Sequence, residues 1–373
     1  MWARQIAQAS QVLADAGVDS PAHDARILAE HCWQLSRPAQ RGAIFDIRTV
    51  PTEDELARYA ELVRRRAARE PLQHICGVMW FRYVELEARP GVFIVRPETE
   101  IVVDAALAAL SDLAAENITM TSDNLSRWGQ REDMRSVQTQ TADHPAYHHG
   151  QQPVSLSAAE RATDSTKVVA QKTPQNVFQN PPPNQPQNAD QHADAGVPAA
   201  AQRPLCVVDL CTGSGAIALS LATESPVPVH VHGVEYDQVA WESAQRNNQR
   251  YGALVQLHHA DARTCLPELA GQVDLVVSNP PYVPPSHELS PEVRQDPQLA
   301  LFGGGADGLD IPRQIMRHAH TLLRSGGILI MEHAHEQAGA MRDYAAHLAM
   351  TQIRTGKDLT GEYRYVYAQK GRQ

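Results

Sequence analysis

The chain has 373 residues, enough for two domains, and carries a formal net charge of −10. That acidic balance argues against a protein that grips nucleic acid mainly through phosphates, because such domains are usually basic. The five cysteines (Cys32, Cys76, Cys206, Cys211, Cys265) are odd in number and lack CxxC spacing. They fit reduced thiols better than a disulfide frame or a zinc site.

From the N-terminus, residues 1 to 17 are amphipathic without a continuous apolar core, so they read as neither signal peptide nor membrane span. The expectation is a soluble, cytoplasmic protein. Residues 1 to about 70 read as a helical unit. Ile6, Val12 and Leu13 sit at helical spacing, and Asp19-Ser20-Pro21 marks a capped helix start with proline in the first turn. Thr52 and Glu55 have the spacing of a capping box, followed by Leu56, Tyr59, Ala60, Val63 and Ala67 at a period of 3.6. Arg64-Arg65-Arg66 and Arg69 make the end of that helix basic. Either a solvated face complementing the helix C-terminus or a docking surface accounts for them.

Beyond residue 73 the composition changes. Gly77 to Val84 and Val92-Phe93-Ile94-Val95 have strand composition, with Arg89-Pro90-Gly91 as a turn between strands. Arg96-Pro97-Glu98-Thr99-Glu100 leads into an apolar helix from Ile101 to Leu113. Capping chemistry is enough to explain that lead-in, though a functional role is equally open. Residues 116 to 203 are rich in Gln, Asn, Pro, Ser, Thr and Ala and hold no sustained apolar period. Such a segment buries too little apolar surface to offset its ordering entropy, so it is expected to be disordered.

From Pro204 onward, strands and helices alternate, which predicts a doubly wound α/β layer. Leu205–Leu210, Val229–Val234, Leu254–His259 and Val273–Ser278 are the first four strands. Ile328–Met331 and a last pair near 351–353 and 363–368 follow a helix from Pro312 to Leu323.

Four strand ends carry the candidate chemistry. Asp209-Leu210-Cys211-Thr212-Gly213-Ser214-Gly215 is a glycine-rich turn between strand and helix, where glycine lets the backbone approach a ligand. It is neither a GxGxxG fingerprint nor a P-loop. Glu235 ends the next strand and is suited to accept ribose hydroxyls. Asp261, followed by Ala262, lies past the third strand, near where an adenine ring would sit. Asn279-Pro280-Pro281-Tyr282 closes the fourth. The prolines force the chain off the strand in an extended shape, aiming the Asn279 amide and the Pro280 carbonyl past the sheet edge. Those acceptors, with the flat face of Tyr282, suit a planar NH2 group. A ribose-binding acid without a pyrophosphate cradle, beside an NH2 site, suggests S-adenosylmethionine and amino-group methylation. The seventeen histidines show no HExxH spacing, so no metal is expected.

Taken together, these residues resemble the HemK-type protein-(glutamine-N5) methyltransferases, which methylate peptide chain release factors. The resemblance rests on the Asn279 motif with Ser20-Pro21-Ala22-His23-Asp24-Ala25, Arg96 to Glu100, and Pro297 to Gly304 with Asp307-Gly308-Leu309-Asp310. Asp358-Leu359-Thr360-Gly361 with Arg364 completes it. It implies a Rossmann-like, seven-stranded S-adenosylmethionine-dependent methyltransferase domain with a small N-terminal helical domain. The implied boundaries are a helical substrate-recognition domain (1–72), a β-hairpin linker with the first catalytic helix (73–115), the insert (116–203) and the catalytic domain (204–373). Asp209, Cys211 to Gly215, Glu235, Asp261, Ala262 and Asn279 would hold the cofactor, with Asn279 to Tyr282 on the target glutamine and Asn279, Pro280 and Tyr282 catalytic. The implied partner is a release factor, with no stably bound nucleic acid, no membrane, and a monomeric enzyme. A nucleic-acid amino methyltransferase with the same core is the alternative. Cys211 stands where glycine is common, Val95 where proline is usual, and Ala262 where some members have an aromatic.

Overall fold

A computed structural model of the chain describes residues 1–37, 43–132 and 203–372, the last sixteen of the middle stretch as backbone only. The first three helices, α1 (Trp2–Asp15), α2 (Pro21–Ser36) and α3 (Glu53–Ala67), pack around Trp2, Leu13, Leu28, Trp33 and Tyr59. Trp2 meets Tyr59 edge-on at 5.3 Å, and the Tyr59 hydroxyl donates to the Ala25 carbonyl at 2.8 Å. The capping box forms as expected: Glu55 N–H donates to Thr52 Oγ1 and Thr52 N–H to the Glu55 carboxylate. Ser20 differs. Its hydroxyl donates to Asp24 instead of capping the helix, leaving Pro21 to start α2.

A short helix α4 (Leu72–Cys76) leads into a hairpin of β1 (Val78–Phe81) and β2 (Val84–Glu87), turned at Arg82-Tyr83 with Arg82 at φ 51°. Val92–Val95 pairs with no strand. The Ile94 N–H donates instead to the Asp296 carboxylate, so this stretch becomes a wall and not a ladder. Helix α5 runs Glu100–Glu132, past the boundary expected at 115, on a stretch without proline. The expectation of disorder for the insert falls mainly on residues 133–202, which lie outside the described residues.

The rest of the chain supplies β3 (Leu205–Leu210), α6 (Ala216–Glu224), β4 (Val229–Glu235), α7 (Gln238–Arg250), β5 (Val255–His259) and β6 (Val273–Ser278). After them come α8 (Gln298–Leu301), α9 (Asp310–Leu322), β7 (Leu323–Glu332), α10 (Ala338–His347), β8 (Met350–Lys357) and β9 (Tyr363–Lys370). The seven strands order as β5-β4-β3-β6-β7-β9-β8; the first five are parallel and β9 runs antiparallel to both neighbours. Because side chains alternate across a strand, the apolar runs feed two cores. Val207, Leu275, Val277 and Ile330 join α5 and α6 on one face, while Val208, Val276, Leu329 and Met331 join α9 and α10 on the other. Strand order reverses between β3 and β6, which opens a crevice at their C-terminal ends. Among the described residues no helix is long and apolar enough to cross a membrane.

The basic end of α3 divides between a solvated face, where Arg64 is 70% exposed, and contacts to the rest of the chain. Arg64 pairs with Glu61 and Arg65 with Glu70, while Arg66 and Arg69 both reach Glu292, on the loop after β6.

Candidate active site

A cavity of about 450 Å³ lies over that crevice, within the size range of ligand sites. Its wall brings together Cys211, Gly213, Glu235, Asp261, Ala262, Asn279, Pro280, Pro281 and Tyr282 from the expected set. Asp209, Thr212, Ser214 and Gly215 lie behind the wall. Asp209 is fully buried. Its Oδ2 accepts the Thr212 hydroxyl at 2.6 Å and the Ala218 N–H at 3.1 Å, which locks the turn onto the start of α6. Burial pushes its carboxyl up to about 7. The Ser214 carbonyl is held by Asn247 Nδ2.

Cys211 sits at φ 63°, the left-handed region that favours glycine, so the turn tolerates a side chain there at a cost in strain. Gly213 follows at φ 58° with nothing within 4 Å of a would-be Cβ, and its N–H donates to Glu235 Oε2 at 2.8 Å. Glu235 Oε1 accepts from the N–H groups of Tyr236 and Asp237. Three backbone donors therefore aim one carboxylate at the cavity. Burial raises its pKa, and those donors oppose the rise. Asp261 is held by Arg263 through Nε at 2.8 Å and Nη2 at 2.6 Å.

At the other end of the cavity, the Asn279 turn is fastened from behind. Asn279 Nδ2 donates to Thr99 Oγ1 at 3.2 Å, so the planar amide leaves Oδ1 as the acceptor for the cavity. The Tyr282 hydroxyl donates to Glu332 at 3.0 Å. Gln337 Nε2 donates to the carbonyls of Tyr282 and Asp307, at 2.7 and 2.8 Å. Phe93 and Arg96 close one side, with Arg96 stacked on Phe93 and paired to the buried Asp296. Tyr236, 60% exposed, lines the cavity too and offers the aromatic face that Ala262 lacks.

Sequence reading missed Thr99, Glu332, Gln337, Phe93, Asp296 and Tyr236. Only Tyr236 was signalled, by following Glu235 directly. Thr99 and Arg96 stood in a stretch for which capping and a functional role were equally open.

The chemistry of the lining fits S-adenosylmethionine. Both lining arginines, Arg96 and Arg263, are spent on carboxylates, while Glu235 faces inward. Such a site suits ribose hydroxyls and a cationic sulfonium and disfavours a phosphate. Among the described residues no cluster of three His, Cys, Asp or Glu side chains is placed to hold a metal.

Comparison with known proteins agrees. Residues 5–77 match the PrmC N-terminal domain and residues 207–294 a methyltransferase domain. A release factor glutamine methyltransferase of Streptomyces coelicolor is 39% identical over 90% of this chain and 85% of its own length. One from Bifidobacterium longum is 33% identical over 97% of each chain. The chain belongs to the release factor glutamine methyltransferase family. Its catalytic domain is accordingly a Rossmann-like, S-adenosylmethionine-dependent methyltransferase, with the helical domain of the family at its N-terminus. A 4-amino-L-phenylalanine/4-methylamino-L-phenylalanine methyltransferase of Streptomyces pristinaespiralis is also similar, at 30% identity over 91% of this chain and 85% of its own.

Proposed function

We propose that this chain transfers a methyl group from S-adenosylmethionine to the side-chain amide nitrogen of a glutamine in peptide chain release factors. The observation that carries the reading is the hold of Thr99 on Asn279 Nδ2, which leaves Oδ1 as the free acceptor of a residue that lines the cavity together with Pro280. Two acceptors match the two N–H bonds of a primary amide.

An amide nitrogen is a weak nucleophile because its lone pair is delocalised. S-adenosylmethionine supplies an electrophilic methyl group on a sulfonium. Asn279 Oδ1 and the Pro280 carbonyl accept the amide protons, turn the lone pair toward that methyl and stabilise the positive charge developing on nitrogen. Held this way, the amide nitrogen would take the methyl group in line, its C–N bond forming as the C–S bond breaks, with S-adenosylhomocysteine leaving and the extra proton passing to solvent. No base is needed before attack. Tyr282 supplies a flat wall for the amide plane, and Glu235 holds the ribose. In this reading the enzyme works as a cytoplasmic monomer without bound nucleic acid, in keeping with the net charge of −10.

The test is methyl transfer from labelled S-adenosylmethionine to a purified release factor, beside RNA and 4-amino-phenylalanine controls. Label on a release factor glutamine is expected. Label on RNA or on the aromatic amine alone overturns the reading.

A further inference from the structure

The polarity of the Asn279 amide is set by groups that never reach the cavity. Thr99 Oγ1 accepts from Asn279 Nδ2, so the Thr99 hydroxyl must send its own proton elsewhere. Thr99 is fully buried, and its hydroxyl is near enough to Glu332 to hold that carboxyl's pKa down. Glu332 ends β7, is 2% exposed, and accepts the Tyr282 hydroxyl on Oε1. Its Oε2 is buried and has no hydrogen-bond partner, which leaves it open to accept the Thr99 proton. One carboxylate thus stands behind both side chains that face the reacting amide.

We propose that Glu332 is a positioning residue for the methyl transfer: by accepting from Thr99 and Tyr282 it fixes Asn279 with Oδ1 toward the cavity and Tyr282 in the cavity wall. The proposal rests on the glutamine-amide reading given above. An ionised carboxylate can only accept, so the hydrogen-bond chain runs one way. A neutral group at this position can donate to Thr99. The Thr99 hydroxyl is then free to donate to Asn279, whose amide turns its NH2 toward the substrate, where two donors meet.

The arrangement has a pH signature. Burial pushes the Glu332 carboxyl up to about 7; Thr99, Tyr282 and Arg364 oppose the rise, and Glu98 adds to it. His333, next in the chain, has its pKa lowered, chiefly by burial. Glu332 is ionised above that pH and protonated below it, so wild type loses the correct polarity as pH falls through about 7. Glu332→Gln is neutral at every pH. Asp209 titrates in the same range but is present in both proteins, so it cancels from their ratio.

The experiment uses the full-length chain with a purified release factor, measuring kcat, KM and S-adenosylmethionine affinity across the titration near 7. Glu332→Gln is expected to lose about a hundredfold in kcat at the alkaline end, with KM and cofactor affinity close to wild type. The ratio of wild type to variant should collapse toward one at the acidic end. Thr99→Ser should retain activity, and Thr99→Val should follow Glu332→Gln. The Thr99 pair alone decides the matter if the Glu332 variant does not fold. A ratio that stays constant with pH, or equal rates for Thr99→Val and Thr99→Ser, overturns the proposal. Wild type that leaves release factor glutamine unmethylated overturns the underlying reading as well.

Discussion

The Arg69 guanidinium forks onto both carboxylate oxygens of Glu292, at 2.6 and 2.7 Å, and ties the N-terminal helices to the loop after the Asn279 turn. Arg66 adds a third hydrogen bond at 2.8 Å, and Gln295 donates to the Arg69 carbonyl at 2.7 Å. That same loop brings Val293 and Pro297 to the cavity and Asp296 to Arg96. The helical domain and the cavity wall are therefore mechanically joined.

Glu292→Gln should expose this joint. Burial would raise the Glu292 carboxyl, but the bonds from Arg69 and Arg66 outweigh it and hold it at about 2. A carboxyl depressed in the folded state stabilises above its unfolded pKa, and the contribution is lost as pH falls toward the folded value. The variant should be less stable by about 2 kcal/mol at neutral pH. Denaturant melts should show the gap narrowing from about 4.5 down to about 2. A gap independent of pH would mean that the carboxylate charge contributes nothing.

Asn279→Ala removes the acceptor that the Thr99 bond presents to the cavity. Loss of one preorganised acceptor costs about a hundredfold or more in rate. S-adenosylmethionine affinity should stay close to wild type, because Oδ1 acts on the amide in the transition state. Methyl-transfer assays and calorimetry separate the two. A variant that binds cofactor far more weakly but turns over normally once saturated would reverse the assignment.

Glu235 does more than the sequence suggested. Reading it as the acidic end of β4 implies a ribose contact, worth on the order of 2 kcal/mol of cofactor affinity. The structure adds the N–H groups of Gly213, Tyr236 and Asp237, which shape the turn itself. Glu235→Gln, which turns an amide NH2 toward one of these donors, should therefore weaken binding and also lower the melting temperature. Calorimetry with unchanged affinity would remove Glu235 from the cofactor site.

What the sequence made legible follows from local physics. β-Branched runs such as Val273–Ser278 announce buried strands, Thr52 and Glu55 announce a cap, and Pro280-Pro281 announces a fixed exit from β6. What stayed hidden depends on pairs far apart in the chain. Thr99 looks like helix-start chemistry until Asn279 and Glu332 arrive beside it. Arg66 and Arg69 look like a solvated face until Glu292 does. Val92–Val95 has strand composition, but its Ile94 N–H finds Asp296 before any strand. Asp209 shows the converse. It has the position of a ligand, yet both its contacts point back into the turn.

Gly303 tests whether the Asn279 turn depends on its backing. The Gly303 N–H donates to the Val283 carbonyl, and the Gly303 carbonyl accepts from Ile311. A Cβ added there would lie 2.6 Å from the Pro281 carbonyl and closer still to that of Gly308. Both obstacles are backbone, so neither can swing aside as a side chain does. Gly303→Ala must displace the Gly308 carbonyl, the Pro281 carbonyl or both, and a displaced Pro281 carries Asn279 and Tyr282 with it. The fold should lose about 1–3 kcal/mol, the usual cost of overpacking. Turnover should fall by about a hundredfold, because a shift of an ångström at the reacting groups is enough. Gly339→Ala is the control: it lies in α10 with nothing within 4 Å of the added carbon, and alanine suits a helix better than glycine. Melts and methyl-transfer rates on the two variants decide it. If Gly303→Ala turns over as fast as Gly339→Ala, the turn holds its shape without this contact, and Gln337 becomes the group that fixes it.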